Sequence, residues 1–116
     1  MAFTYGRLAN ITTIPSTVGA IYANPSSTKS YIRGIILYNS NSTAETVKLY
    51  NVPDNATALG TPAATNQVYQ QSVDANSTLI FEFPVPGIVL EDENDALFAD
   101  TDTASKVTIT LMGGAE

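Results

Sequence analysis

Short runs of β-branched and aromatic residues alternate along this chain with clusters of Asn, Ser, Pro, Gly and Asp, at a spacing of roughly ten residues. No apolar period of 3.6 persists anywhere, and strong helix formers are sparse beside Thr, Val, Ile and Tyr. The pattern predicts strands over 19–24, 30–39, 45–52, 66–73, 77–83, 87–90, 95–100 and 105–112, with a further extended segment in 7–14. About eight strands in so short a chain imply two packed sheets. The expected fold is therefore all-β: an antiparallel, jelly-roll-like β-sandwich over 16–116, preceded by an extended N-terminal arm over 1–15.

Alternation shows which side of each run faces the core. Leu79, Phe81 and Phe83 share one face of their strand, and Ile80 and Glu82 the other. Val107, Ile109 and Leu111 oppose Lys106, Thr108 and Thr110. Both runs read as antiparallel strands with one wet side. The run 30–39 differs. Strict alternation sets Ile32, Ile36 and Tyr38 against Tyr31, Ile35 and Leu37, so both faces are apolar. That predicts a central strand covered on both sides, by the N-terminal segment or by another subunit.

The connections carry their own chemistry. "NSNSTA" (39–44) is a hairpin tip whose Asn and Ser side chains bond back to the backbone. The loop 53–66 is long and rich in small residues, which predicts a segment that is mobile or lies on something. "FPVPG" (83–87) breaks a strand at Pro84 and is expected to carry the chain from one sheet to the other. Four Asn-x-Ser/Thr sequons, at Asn10, Asn41, Asn55 and Asn76, read as turn chemistry, because Asn, Ser and Thr are frequent enough for chance matches.

Composition narrows the function. At 116 residues the chain is one domain. It has no Cys and no His, which removes thiolate and Ser-His-Asp catalysis and sulfur-based zinc sites. A net charge of −6 disfavours a nucleic-acid partner. The charge divides unevenly, +3 over residues 1–50 and −9 over 51–116. Either the two halves interleave in the fold, or the subunit is dipolar and attracts neighbours. No run approaches the ~20 apolar residues of a membrane span, and "MAFTYGRLAN" has no signal-peptide pattern.

The densest polar cluster, Glu91, Asp92, Glu93, Asp95, Asp100 and Asp102, has carboxylates enough for a Ca²⁺ site but not the spacing of an EF-hand. An acidic, solvated turn is the simpler account. A glycosidase-like acid pair would want an aromatic-lined cleft, and the chain has no Trp. Neither "STVGA" (16–20) nor "LMGGAE" (111–116) follows a phosphate-loop pattern. The expectation is a protein that is not an enzyme, with no catalytic residue, cofactor or metal. Phe3, Tyr5, Arg7 and Leu8 precede the first convincing strand, in a terminus that would ordinarily fray. They are the candidate partner-interface residues, docking on a neighbour or on their own sandwich.

"SYIRGIILYNSNSTAETVKLYNVP", followed by "STLIFEFPVPGIVLEDENDALFADTDTASKVTITLMGG", resembles the small β-sandwich virion proteins of tailed bacteriophages. The likeness spans about residues 16–114 as a scaffold pattern and brings no catalytic or metal motif. It implies a virion structural protein, assembled in the bacterial host cytoplasm and most plausibly a capsid decoration (cement) protein. Its partners would be the major capsid protein or other virion subunits, and its own copies in a homo-oligomer, a trimer by analogy. A neck, tail or fibre-attachment component is the near alternative. A secreted carbohydrate- or surface-binding module is the distant one.

Overall fold

The protein is described by a computed structural model over residues 4–9 and 11–116, with Thr4 and Tyr5 by backbone alone. In chain order the strands are β1 (Thr4–Arg7), β2 (Thr12–Thr13), β3 (Gly19–Ala23), β4 (Ser30–Asn39), β5 (Glu45–Val52), β6 (Gln67–Val73), β7 (Thr78–Glu82), β8 (Ile88–Leu90), β9 (Ala96–Thr101) and β10 (Val107–Ala115). Sheet I runs β1–β10–β4–β7, with β2 also on β10 and β8 also on β4. Sheet II runs β3–β9–β5–β6. All the pairings are antiparallel. Because β1 and β2 share one edge of sheet I and β7 and β8 the other, ten segments fill eight positions. The result is a jelly-roll-like double sheet.

Ile32, Ile35, Leu37, Ile109 and Leu111 of sheet I pack against Val47, Leu49 and Leu97 of sheet II, all essentially inaccessible to water. Each such side chain stabilises the fold by roughly 1.5–3 kcal/mol relative to leaving it exposed. The alternation expected for β7 and β10 holds: Leu79 and Phe81 lie opposite Leu37 and Ile35, while Ile80 turns outward with Ile36.

Strict alternation fails in β4. Met112 pairs with Gly34 and Gly113 with Ile32, so Arg33 is one residue too many on its strand. This β-bulge reverses the facing of everything beyond it. Ile32 therefore points inward together with Ile35 and Leu37, and Ile36 and Tyr38 point outward. The grouping of Ile32 with Ile36 and Tyr38 is corrected accordingly. The bulge needs bare backbone on both flanks. A Cβ on Gly113 would overlap the Tyr31 carbonyl oxygen, and one on Gly87 (φ +87°) would overlap that of Ile32. The Arg33 carbonyl accepts the Phe83 N–H at 2.8 Å, and its Nε donates to the Pro86 carbonyl at 3.1 Å.

A second correction concerns "FPVPG". β7 and β8 both pair with β4, so the chain bends here without leaving sheet I. The loop 53–66 lies back over the outer face of sheet II. There Tyr50, Val52, Ala96 and Phe98 form a small buried cluster of their own, with Val18 and Ala23 packed against it. Pro62, Ala63 and Ala64 come within reach of Tyr50. The segment expected as an arm supplies, over its described residues, the β1 and β2 edge of sheet I.

The bulge generates a prediction. Gly113→Ala should cost about 1–3 kcal/mol through overpacking, since backbone must move to admit the methyl group. A chemical denaturation midpoint measures it, and an unchanged midpoint would contradict the close approach.

Candidate functional surfaces

The acidic segment is built as a turn. Asp95 accepts the Glu91 and Asp92 N–H groups on Oδ2, at 3.1 and 3.0 Å, and the Asp54 N–H on Oδ1 at 2.9 Å. Asp54 accepts the Thr57 N–H at 2.9 Å, and Asn94 donates to the Thr57 carbonyl at 2.6 Å. Buried Asn24 donates to the Thr28 and Asp92 carbonyls and accepts from Ser30 Oγ at 2.6 Å. Three loops are thus fastened at one end of the sandwich by side chains that imitate backbone. Asp54, Asp92 and Asp95 each bring a carboxylate oxygen within 4.8 Å of the others, and these are the residues that could hold a cation. Both Asp95 oxygens already accept backbone N–H groups. Burial tends to raise the Asp95 pKa, but the N–H donors of Asp92, Asp54 and Glu91 outweigh it and hold the carboxyl below its ordinary value.

Two further acids of the cluster also have structural partners. Asp102 accepts the Thr46 N–H at 2.9 Å, and Asp100 accepts the Tyr50 hydroxyl at 3.1 Å while lying across from Lys48. That last pairing brings the basic and acidic halves of the chain together.

Pattern reading passed over Glu45. It is 2% exposed, and it accepts from Asn41 Nδ2 (2.9 Å), Thr101 Oγ1 (3.1 Å) and the Thr103 N–H (2.8 Å). The "NSNSTA" hairpin is thereby tied to the turn between β9 and β10. Burial pushes the Glu45 carboxyl up, and these donors bring it below its usual value. The Thr101–Glu45 pair is a hydroxyl beside a carboxylate, but both are sealed from solvent, so no substrate reaches it. The described sequons sit in turns: Asn41 bonds Glu45, Asn55 bridges Ala58, and Asn76 adopts φ +54°.

Two broad surfaces remain. The outer face of sheet I presents Tyr38 (41% exposed) and Ile80 (64%), with Ile36 beside both and Thr108 and Thr110 on the β10 side of β4. Among the described residues nothing covers this face; β1 and β2 lie beyond β10, not over β4. At its edge a shallow cavity of about 240 Å³ is lined by Arg33, Gly34, Glu82, Phe83, Val85 and Met112. The second surface is the side of the sandwich where β6 and β7 lie. There Tyr69, Phe81 and Phe83 meet edge to face, with centroids 5.0 to 6.4 Å apart. The Tyr69 hydroxyl is buried without a hydrogen-bond partner, and burial raises its pKa.

Of the candidate interface residues, Arg7 is exposed at the edge of sheet I, and Leu8 is half-buried against the core. Phe3 and the Tyr5 side chain lie outside the described residues.

No protein-family model matches the chain, and no curated protein matches it. Among solved structures it is similar to a protein of Bacillus endospore appendages, described as a novel family of disulfide-linked pili. That match has a TM-score of 0.52 and 14% identity, covering 98% of this chain and 87% of the other. At such identity the likeness establishes a shared fold.

Two predictions follow from the buried polar groups. Glu45→Gln should lower stability by about 1–3 kcal/mol, since an amide nitrogen now faces N–H donors. The folded pKa of Glu45 is depressed, so its contribution is full above its unfolded value and is lost as pH falls through the folded one. Urea melts of the parent should therefore weaken in acid, and those of the variant should weaken less. Tyr69→Phe should leave the melting temperature unchanged or raise it, because the hydroxyl removed bonds nothing. A marked drop would reveal a partner for that hydroxyl.

Proposed function

We propose that this protein is a structural subunit of a repeating particle, acting by adhesion, and that the particle is a phage capsid which it decorates. The observation that carries the proposal is the outer face of sheet I. A well-packed sandwich leaves Ile80 and Tyr38 in water beside Ile36, with Thr108, Thr110 and Met112 on the same face, Glu82 at its border and exposed Val85 in the adjoining bend. Large apolar side chains grouped in this way mark an interaction surface. β1, which ends at Arg7, borders the same sheet, and in this reading Phe3, Tyr5, Arg7 and Leu8 extend the contact with the capsid shell. Repetition on a lattice makes a modest single contact sufficient.

A second reading, a subunit of an extracellular appendage, is favoured by the fold shared with the endospore pilus protein. These 116 residues contain no cysteine, so a filament of them would be held without disulfides.

Gel densitometry of the purified particle tests the proposal. A copy number proportional to the shell lattice is expected, whereas a few copies per particle would place the protein in a neck or tail ring. Ile80→Asp should then reduce occupancy of the shell about tenfold or more, a loss of about 1.4 kcal/mol. Its melting temperature should stay close to the parent's, because the side chain is already 64% exposed. Full occupancy by this variant would remove the sheet I face from the interaction.

A further inference from the structure

A sheet edge is a row of unpaired N–H and C=O groups, and proteins that stay monomeric interrupt or charge such edges. Three of the four edges here are blunted. On sheet I, the first is split into β1 and β2 and carries Arg7. The opposite edge is broken between β7 and β8, with Glu82 and Pro84 at the break. On sheet II, β3 has its extra residue, Ile21, in mid-strand. The fourth edge, β6, reads "QVYQQSV". It holds no charge, proline or glycine, and its single bulge, at Val68, leaves 69–73 regular. Among the described residues no strand pairs with its outer side.

We infer that β6 pairs antiparallel with β6 of a second copy of this chain, across a two-fold axis at Gln71, to make a dimer. A dimer interface of this kind is self-complementary. Centred on Gln71, the register sets Gln71 against its own counterpart, Gln70 against Ser72, and Tyr69 against Val73. Five residues from each copy thereby continue sheet II into an eight-stranded sheet. Two subunits of net charge −6 can meet here because the strand brings no charge to the contact. Asp74, the first acid beyond it, is carried to opposite ends of the pair. Phe81, 38% exposed, lies along this side against Tyr69, flanking the paired strands. A second copy is the occupant because strand and register complete themselves without any other sequence.

The inference rests on the structural-subunit reading and supplies its building block, yet the two fail separately. A monomer present in many copies on a particle would sink only the dimer, and a dimer found on no particle would sink only the role.

Sedimentation velocity on the full chain, from micromolar to millimolar concentration, tests it. The parent should pass from monomer to dimer. Gln71 is exposed and opposite Val47, so Gln71→Lys and Gln71→Glu should both fold, as circular dichroism and the melting temperature will show. Each variant alone places like charges across the axis and should weaken dimerisation at least tenfold. An equimolar mixture of the two should recover it. A parent that stays monomeric throughout, a dimer indifferent to both substitutions, or a mixture that fails to recover would each overturn the inference.

Discussion

The chain passes through the middle of sheet I only because its neighbours there have no side chains. β4 carries one residue more than β10 can match, and the surplus at Arg33 presses the strand's carbonyls towards β10 on one side and the β7–β8 bend on the other. Gly113 and Gly87 stand at those two points, and neither has room for a methyl group. Without the surplus residue, Ile32 would face away from Ile35 and Leu37, and the core would lose one of its fully buried members. The bulge therefore decides which residues are inside. It also decides that Ile36 and Tyr38 are outside, so the exposed face of sheet I and the core share one cause.

The ends of the sandwich pose a different problem, since turns there must satisfy backbone groups that no strand can reach. The solution is repeated three times with different residues: Asp95 for one set of loops, Asn24 for the loop beside it, and Glu45 for the far hairpin. In each case short polar side chains replace a missing strand. An acidic sequence thereby acquires two carboxylates, Asp95 and Glu45, that are structural and held ionised by N–H donors.

How legible this was in the sequence follows from range. β4 and β5 are recovered to the residue over 30–39 and 45–52, because a long uninterrupted run of β-formers bounded by turn residues is a local signal. β1 escapes, because "TYGR" becomes a strand only by pairing with residues at the other end of the chain. The bulge escapes for the same reason: its evidence is the paired glycine of β10, some 80 residues away. Glu45 reads as an ordinary charge at the head of a strand, and only Thr101 and Thr103, brought in from the next sheet turn, show it to be buried. The "FPVPG" segment misleads because proline signals a break without saying where the chain resumes.

Surface roles are legible last, since they depend on what a strand lacks. "QVYQQSV" and "GAIYA" are equally uncharged runs, and nothing in either says that both are edges or that only one is regular along its outer side. The distinction comes from register, through the position of a single unmatched residue in each. A bulge in mid-strand offers two short fragments to a partner, whereas a bulge near the end leaves five consecutive residues in step. Strand addition gains one ladder of hydrogen bonds per matched stretch, so five in step outweigh two fragments of two. The face of sheet I and the edge of sheet II thus differ in kind, one broad and largely apolar, the other narrow and led by its backbone groups.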